Sequence, residues 1–126
     1  VEWFAPQSVA DDLAARGAFL VADMSSNILS RPLDVTRYGV IYGGAQKNIG
    51  PAGVTVVALR DELLNDAPRT LPGFLDYRAQ IDAHSILNTP PVFAIYVVLL
   101  VTRWLRDEIG LDRFRKRVTA ARKRRK

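Results

Sequence analysis

The sequence predicts an α/β fold with a small sheet whose strand ends share one edge. Three short apolar runs, at 18–22, 38–42 and 54–59, alternate with polar or glycine-rich segments. A longer apolar run, at 92–101, follows a proline pair. Short β-branched runs bounded by turn formers read as strands, and a ten-residue run behind Pro-Pro reads as a helix. The order helix, strand, strand, loop, strand is that of a sheet presenting one ligand-binding edge.

The elements follow in order. Ser8-Val9-Ala10-Asp11 has the form of a capping box, with Asp where Glu is usual. Val9, Leu13 and Ala14 recur at helical spacing, and Gly17 fits a helix stop. The unbroken run 18–22 reads as a strand buried on both faces, ending at Asp23. Residues 24–32 read as a loop containing at most one helical turn. The run 38–42 is the second strand and ends at the stretch GGAQKNIGPAG, residues 43–53. The third, 54–59, ends at Arg60, Asp61 and Glu62, a helix start. Residues 65–76, rich in Pro, Gly and Asp, read as loop. Asn88 or Thr89 is expected to cap the next helix, with proline in its first turn. Its apolar part is far short of the ~18 residues that span a bilayer, so it reads as a buried helix that ends at Gly110. Leu111, Phe114 and Val118 suggest a final helix with a narrow apolar stripe.

Composition narrows the function. The 126 residues suffice for one domain with a core, and the 48% hydrophobic and 25% charged fractions are ordinary for a globular chain. There is no cysteine and a single histidine, which excludes disulfides and thiolate metal sites and argues against zinc. No secretory signal opens the sequence, so the cytoplasm is the expected compartment. The net charge of +5 suggests nucleic acid, but nine of the 18 basic residues lie in 113–126, where no acidic residue occurs. The rest carries nine basic against 13 acidic residues and is mildly acidic. The basic run reads as a solvated helix face or frayed end, against a competing reading as an anionic-surface patch. With only Phe114 among its basic residues and no recognised motif, nucleic acid is not the expected partner. The opening Val1-Glu2-Trp3-Phe4, without methionine, suggests a piece of a longer chain.

The stretch 43–53 holds four glycines and one lysine. Glycines serve a turn, and the lysine needs another reason. Asp23 ends the first strand, and Lys47 follows the second, 24 residues later. In a parallel pair these ends meet at the sheet's ligand edge. Taken singly, Lys47 reads as a solvated turn residue and Asp23 as a turn former. Together they suit pyridoxal phosphate: a lysine amine to form a Schiff base, and a carboxylate to keep the pyridinium nitrogen protonated. The loop does not match the phosphate-binding pattern Gly-x-x-x-x-Gly-Lys-Ser/Thr.

The segment VADMSSNILSRPLDVTRYGVIYGGAQKNIGPAGVTVVALRDELL, with the later Asn88, Thr89, Pro90 and Pro91, closely resembles the phosphoserine aminotransferase family. These are class V aminotransferases of the type I pyridoxal phosphate fold. The likeness runs from about residue 19 to about residue 110. It implies that residues 1–110 are the central part of the large pyridoxal phosphate-binding domain, a mixed, mostly parallel sheet flanked by helices. Residues 111–126 would be a basic helical tail leading toward a small C-terminal domain. It further implies that Lys47 is the Schiff-base lysine, that Asp23 pairs with the pyridinium nitrogen, and that Gln46 binds the cofactor phosphate. Asn88 and Thr89 would reach the phosphate of the cofactor in the other subunit of a homodimer. The implied reaction exchanges an amino group between glutamate and 3-phosphohydroxypyruvate in serine biosynthesis. The family's stacking aromatic residue, one of its phosphate turns and its substrate-binding His and Arg have no counterparts in this sequence. The isolated chain is therefore expected to be inactive, and His84 to be a loop residue. The alternative is a non-catalytic module retaining only the dimerisation core.

Overall fold

A computed structural model describes residues 7–30, 32–68, 70–110 and 116. The chain opens with α1, Gln7–Ala15. This helix starts one residue ahead of the expected cap, so Ser8 lies inside it. Its end is the expected one. Gly17 N–H donates to Ala14 O at 3.1 Å and Ala18 N–H to Leu13 O at 2.8 Å, with Gly17 at φ +68°. These are the paired bonds of a left-handed glycine cap.

Three strands follow, β1 (Leu20–Asp23), β2 (Tyr38–Gly44) and β3 (Thr55–Leu59), in the order β1-β2-β3. The sheet is mixed. β1 runs parallel to β2, with Asp23 opposite Tyr42, and β2 runs antiparallel to β3, with Gly44 opposite Thr55. Connection length explains the difference. The segment 24–37 is long enough to return the chain to the same end of the sheet, whereas the loop after β2 folds straight back. The longer connection contains one helical turn, Ile28 N–H to Met24 O at 2.8 Å. A 3-10 turn at Val35–Arg37 follows, capped by Asp34.

The core is small: Met24, Tyr38 and Ile41, with Leu20, Ala22, Ile28 and Leu33 packed against them. β1 is therefore not buried on both faces. Leu20 and Ala22 turn inward, but Val21 is 57% and Phe19 46% exposed. Strand geometry sends alternate side chains to opposite faces, and the described residues cover only one of them.

Helix α2 (Asp61–Asp66) begins as expected, with two acidic residues at its positive end. A further helix, α3 (Tyr77–Asp82), lies beyond the expected loop. Asp76 caps it by accepting from Arg78 N–H at 3.0 Å, and the Arg78 guanidinium closes onto the same carboxylate at 2.8 Å. His84 falls in a loop, as expected, within a tight turn closed by Ile86 N–H to Ala83 O.

Helix α4 (Val92–Trp104) continues as a π-helical turn, Leu105–Ile109, and stops at Gly110. Two expectations fail here. Neither Asn88 nor Thr89 caps it: Pro91 holds the cap position, with no side-chain bond. The two prolines separate Asn88 and Thr89 from the first turn. Nor do the described residues bury α4: Ala94 alone is buried along it and Phe93 is 76% exposed. An unbroken apolar run places apolar side chains on every face of a helix, and the other described residues do not cover them all. Apart from Lys116, which is helical, the expected final helix falls outside the described residues.

Candidate functional site

The site is built where β1 and β2 end side by side. The ladder continues one step beyond β1, with Met24 N–H donating to Tyr42 O at 2.7 Å. Asp23 then closes a local turn: its Oδ1 accepts from Ser25 N–H at 2.9 Å and from Ser25 Oγ–H at 2.6 Å. An Asp-x-Ser spacing favours this turn, because a short carboxylate reaches the backbone two residues on. Ser25 Oγ in turn accepts from Gly44 N–H at 2.9 Å. Ser25 therefore ties the end of β2 to the Asp23 carboxylate.

Across the edge, the loop after β2 is closed by Ala45 N–H to Val54 O at 2.9 Å, and by Gly50 N–H to Ala45 O at 2.9 Å. Ala45 is fully buried and Ile49 is 2% exposed, so two apolar pins hold a loop whose tip is polar. Gly50 is required by packing: a Cβ there would stand 2.6 Å from Val98 Cγ2 of α4. Between the pins, Gln46 and Lys47 reach solvent. The Gln46 amide turns back over Gly44, in the space a Cβ at that position would occupy. Lys47 Nζ donates to Ser26 Oγ at 2.9 Å, and Asn48 Nδ2 donates to Ile28 O.

The turn 24–30 carries backbone strain. Leu29 sits at φ +60°, which costs a side-chain-bearing residue about 1–2 kcal/mol. The bond from Asn48 and the Ser30 Oγ–H bond to Asn27 O at 2.6 Å brace it on either side. Strain of this kind persists where the surroundings fix the conformation, and it concentrates at functional sites.

The electrostatics of the edge favour an ionised carboxylate. Asp23 is held below its ordinary value of 3.8, first by the Ser25 hydroxyl and then by the Ser25 N–H. Partial desolvation opposes this, and the Lys47 charge and the Tyr42 side chain add to it. Asp23 and Lys47 share the edge without forming an ion pair; the ion pairs among the described residues lie elsewhere. The lysine amine is held by a neutral hydroxyl.

Of the five residues singled out in the sequence, the structure brings Asp23, Gln46 and Lys47 to one edge. Asn88 and Thr89 are exposed on the segment before α4, and no described hydrogen bond links either to those three. Sequence reasoning gave no role to Ser25, Ser26 or Asn48. The Asp-x-Ser spacing signalled the first; the other two are contacts between separate loops and leave no local signal. Among the described residues no group of acidic residues and histidine could hold a metal ion. The donor set suits a planar aldehyde cofactor with an anionic tail: an amine for the aldehyde, an ionised carboxylate for a protonated ring nitrogen, and an amide beside the amine.

Comparison with known proteins accords with this set. The aminotransferase class-V family model matches residues 3–126. A phosphoserine aminotransferase of Aromatoleum aromaticum is 58% identical over 95 residues, 75% of this chain and 26% of the relative. The solved phosphoserine aminotransferase from Bacillus circulans subsp. alkalophilus superposes with a TM-score of 0.73 at 45% identity, over 79% of this chain and 27% of that one. The pyridoxal phosphate-bound enzyme from Trichomonas vaginalis gives 0.72 at 40% identity, over 79% and 28%. The chain thus spans little more than a quarter of these relatives.

Proposed function

This chain belongs to the class-V aminotransferase family, and from that premise we propose that it is the cofactor-binding centre of a phosphoserine aminotransferase. The reaction would exchange an amino group between glutamate and 3-phosphohydroxypyruvate. The observation that carries the proposal is the meeting of Asp23 and Lys47 at the shared end of a parallel strand pair, with the carboxylate held ionised and the amine hydrogen-bonded to the Ser26 hydroxyl. Bound there, pyridoxal phosphate supplies an aldehyde for Lys47 Nζ and a protonated ring that accepts electrons from the substrate α-carbon. Asp23 keeps the ring nitrogen protonated. Gln46 binds the phosphate. Lys47, with its amine free, would take up at Nζ the proton lost by the α-carbon of the amino substrate in one half-reaction and deliver a proton to the α-carbon of the amino product in the other.

A homodimer belongs to the same proposal. Asn88 and Thr89 lie exposed with no described hydrogen bond to Lys47, in keeping with service to a partner subunit's phosphate. A cytoplasmic location and the division into a cofactor domain through residue 110 and a basic tail from 111 are proposed with it. No described helix is long and apolar enough to cross a membrane.

The test uses the whole protein with pyridoxal phosphate. A yellow species should form, and borohydride should fix the cofactor on Lys47. Phosphoserine and 2-oxoglutarate should turn over. Fixation on another lysine overturns the site, and turnover confined to other amino donors overturns the substrate.

A further inference from the structure

We propose that Ser26 is a positioning residue for Lys47, holding the free amine at the sheet edge between its encounters with aldehydes. The inference rests on Lys47 as the reactive lysine. Its geometric basis is the bond from Lys47 Nζ to Ser26 Oγ, 2.9 Å long and reaching across 21 residues of chain.

Three features make this more than a chance surface contact. First, Ser26 does not float. Its neighbour Ser25 is fixed on one side by Gly44 N–H and Asp23, and Ile28 O on the other side receives Asn48 Nδ2. The helical turn Met24–Ile28 is thus clamped to the lysine loop at both ends, and Ser26 lies between the clamps. Second, the partner has the right chemistry. A carboxylate in contact favours an ammonium, and only a neutral amine attacks an aldehyde. A serine hydroxyl accepts from the ammonium or donates to the free amine, so it can hold Nζ in either state. Third, a ready carboxylate stands at the same edge and is engaged otherwise: Asp23 Oδ1 takes both donors of Ser25 and forms no ion pair with Lys47. Ser25 serves the carboxylate and Ser26 the amine. Each group thus has its own hydroxyl partner, although the Lys47 charge still acts on the carboxylate.

The role is one of placement. In the capture step, Nζ adds to the aldehyde carbon and water leaves, forming the C=N bond. A four-carbon side chain without a tether loses rotamer freedom each time it must find that carbon. Ser26 removes part of that search.

The test uses the whole protein freed of cofactor, comparing Ser26→Ala and Ser26→Thr with the parent. Two rates are read: trapping of added pyridoxal phosphate on Lys47 by borohydride, and acetylation of Lys47 by acetic anhydride, a small reagent with little demand for orientation. In Ser26→Ala the cofactor rate should fall about tenfold, while acetylation stays within about twofold. Ser26→Thr, which keeps the hydroxyl, should restore the cofactor rate. An unchanged cofactor rate in Ser26→Ala overturns the inference, as does an equal fall in both rates or a failure of Thr to rescue. Unfolding measured on each variant separates loss of fold, which an exposed Ser26 does not predict. Fixation of the cofactor on a lysine other than Lys47 in the parent is a distinct result, and it removes the functional reading itself.

Discussion

The strand-end edge and helix α4 are built on opposite plans. At the edge, Gly44, Lys47 and Asn48 donate to Ser25, Ser26 and Ile28 across two short loops, and buried Ala45 and Ile49 pin the lysine loop from beneath. Helix α4 is regular in backbone yet leaves Val92, Phe93, Tyr96 and Trp104 in the open. The chemistry is thus assembled from local contacts, whereas the stability of the surrounding fold draws on surfaces that these residues do not cover themselves. A helix apolar on all sides is a buried helix in its finished setting. That agrees with the fraction of its relatives the chain spans.

The largest expected effect tests the local half of the contrast. Lys47→Ala should abolish the borohydride-fixed adduct and lower phosphoserine turnover by the whole protein on the order of a thousandfold or more, as loss of a covalent nucleophile does. Folding should be unaffected, because Lys47 is exposed and its amine has one hydroxyl partner. The isolated 126-residue chain should show no turnover despite keeping Lys47. Measurable turnover by it would mean that the edge suffices alone.

The next effect tests the other half. Phe93→Ala should change the unfolding free energy of the isolated chain by less than about 0.5 kcal/mol, as at other exposed positions. In the whole protein the same substitution should cost about 3–5 kcal/mol, the range for a buried Phe. Equal small effects in both would show that α4 faces solvent throughout.

How far the sequence could be read follows the same division. The strands, the glycine stop at Gly17 and the meeting of Asp23 with Lys47 follow from short-range patterns: apolar runs, turn formers and strand ends. Among the described residues 18–22 and 92–101 are less buried than their apolar runs suggest, because an apolar run states what a segment needs and not which segment supplies it. The cap of α4 was misplaced because two prolines intervene between Asn88 and the first turn. Helix α3 went unread although Asp76 marks its start, since six residues give too little periodicity to register. The roles of Ser26 and Asn48 depend on loops brought together only by folding, across 21 and 20 residues.

A smaller effect probes the joint between the two regions. Gly50 meets the Val98 side chain so closely that a methyl group must shift that side chain, the helix or the loop. Gly50→Ala should therefore cost about 1–3 kcal/mol in denaturant unfolding, in line with overpacking elsewhere. If the substitution is neutral, α4 and the lysine loop are not in register as described. A further fall in the rate of cofactor capture would show that α4 also sets the height of Lys47.

The smallest effect concerns the carboxylate. Ser25 donates twice to Asp23 and holds its carboxyl below 3.8. A carboxyl depressed in the folded state stabilises the fold above its unfolded value, and that contribution is lost as pH falls through the folded value. The stabilisation from Asp23 should therefore be fully present from about pH 5 upward, and it should disappear only in acid below 3.8. NMR titration of the Asp23 carboxyl in the cofactor-free protein checks this directly. In the parent the midpoint should lie below 3.8, and in Ser25→Ala it should rise toward that value. The rise should be partial, since Lys47 and Tyr42 remain. A midpoint unmoved by the substitution would assign the depression to the Lys47 charge and the Tyr42 side chain, and Ser25 would then hold the turn without tuning the carboxyl.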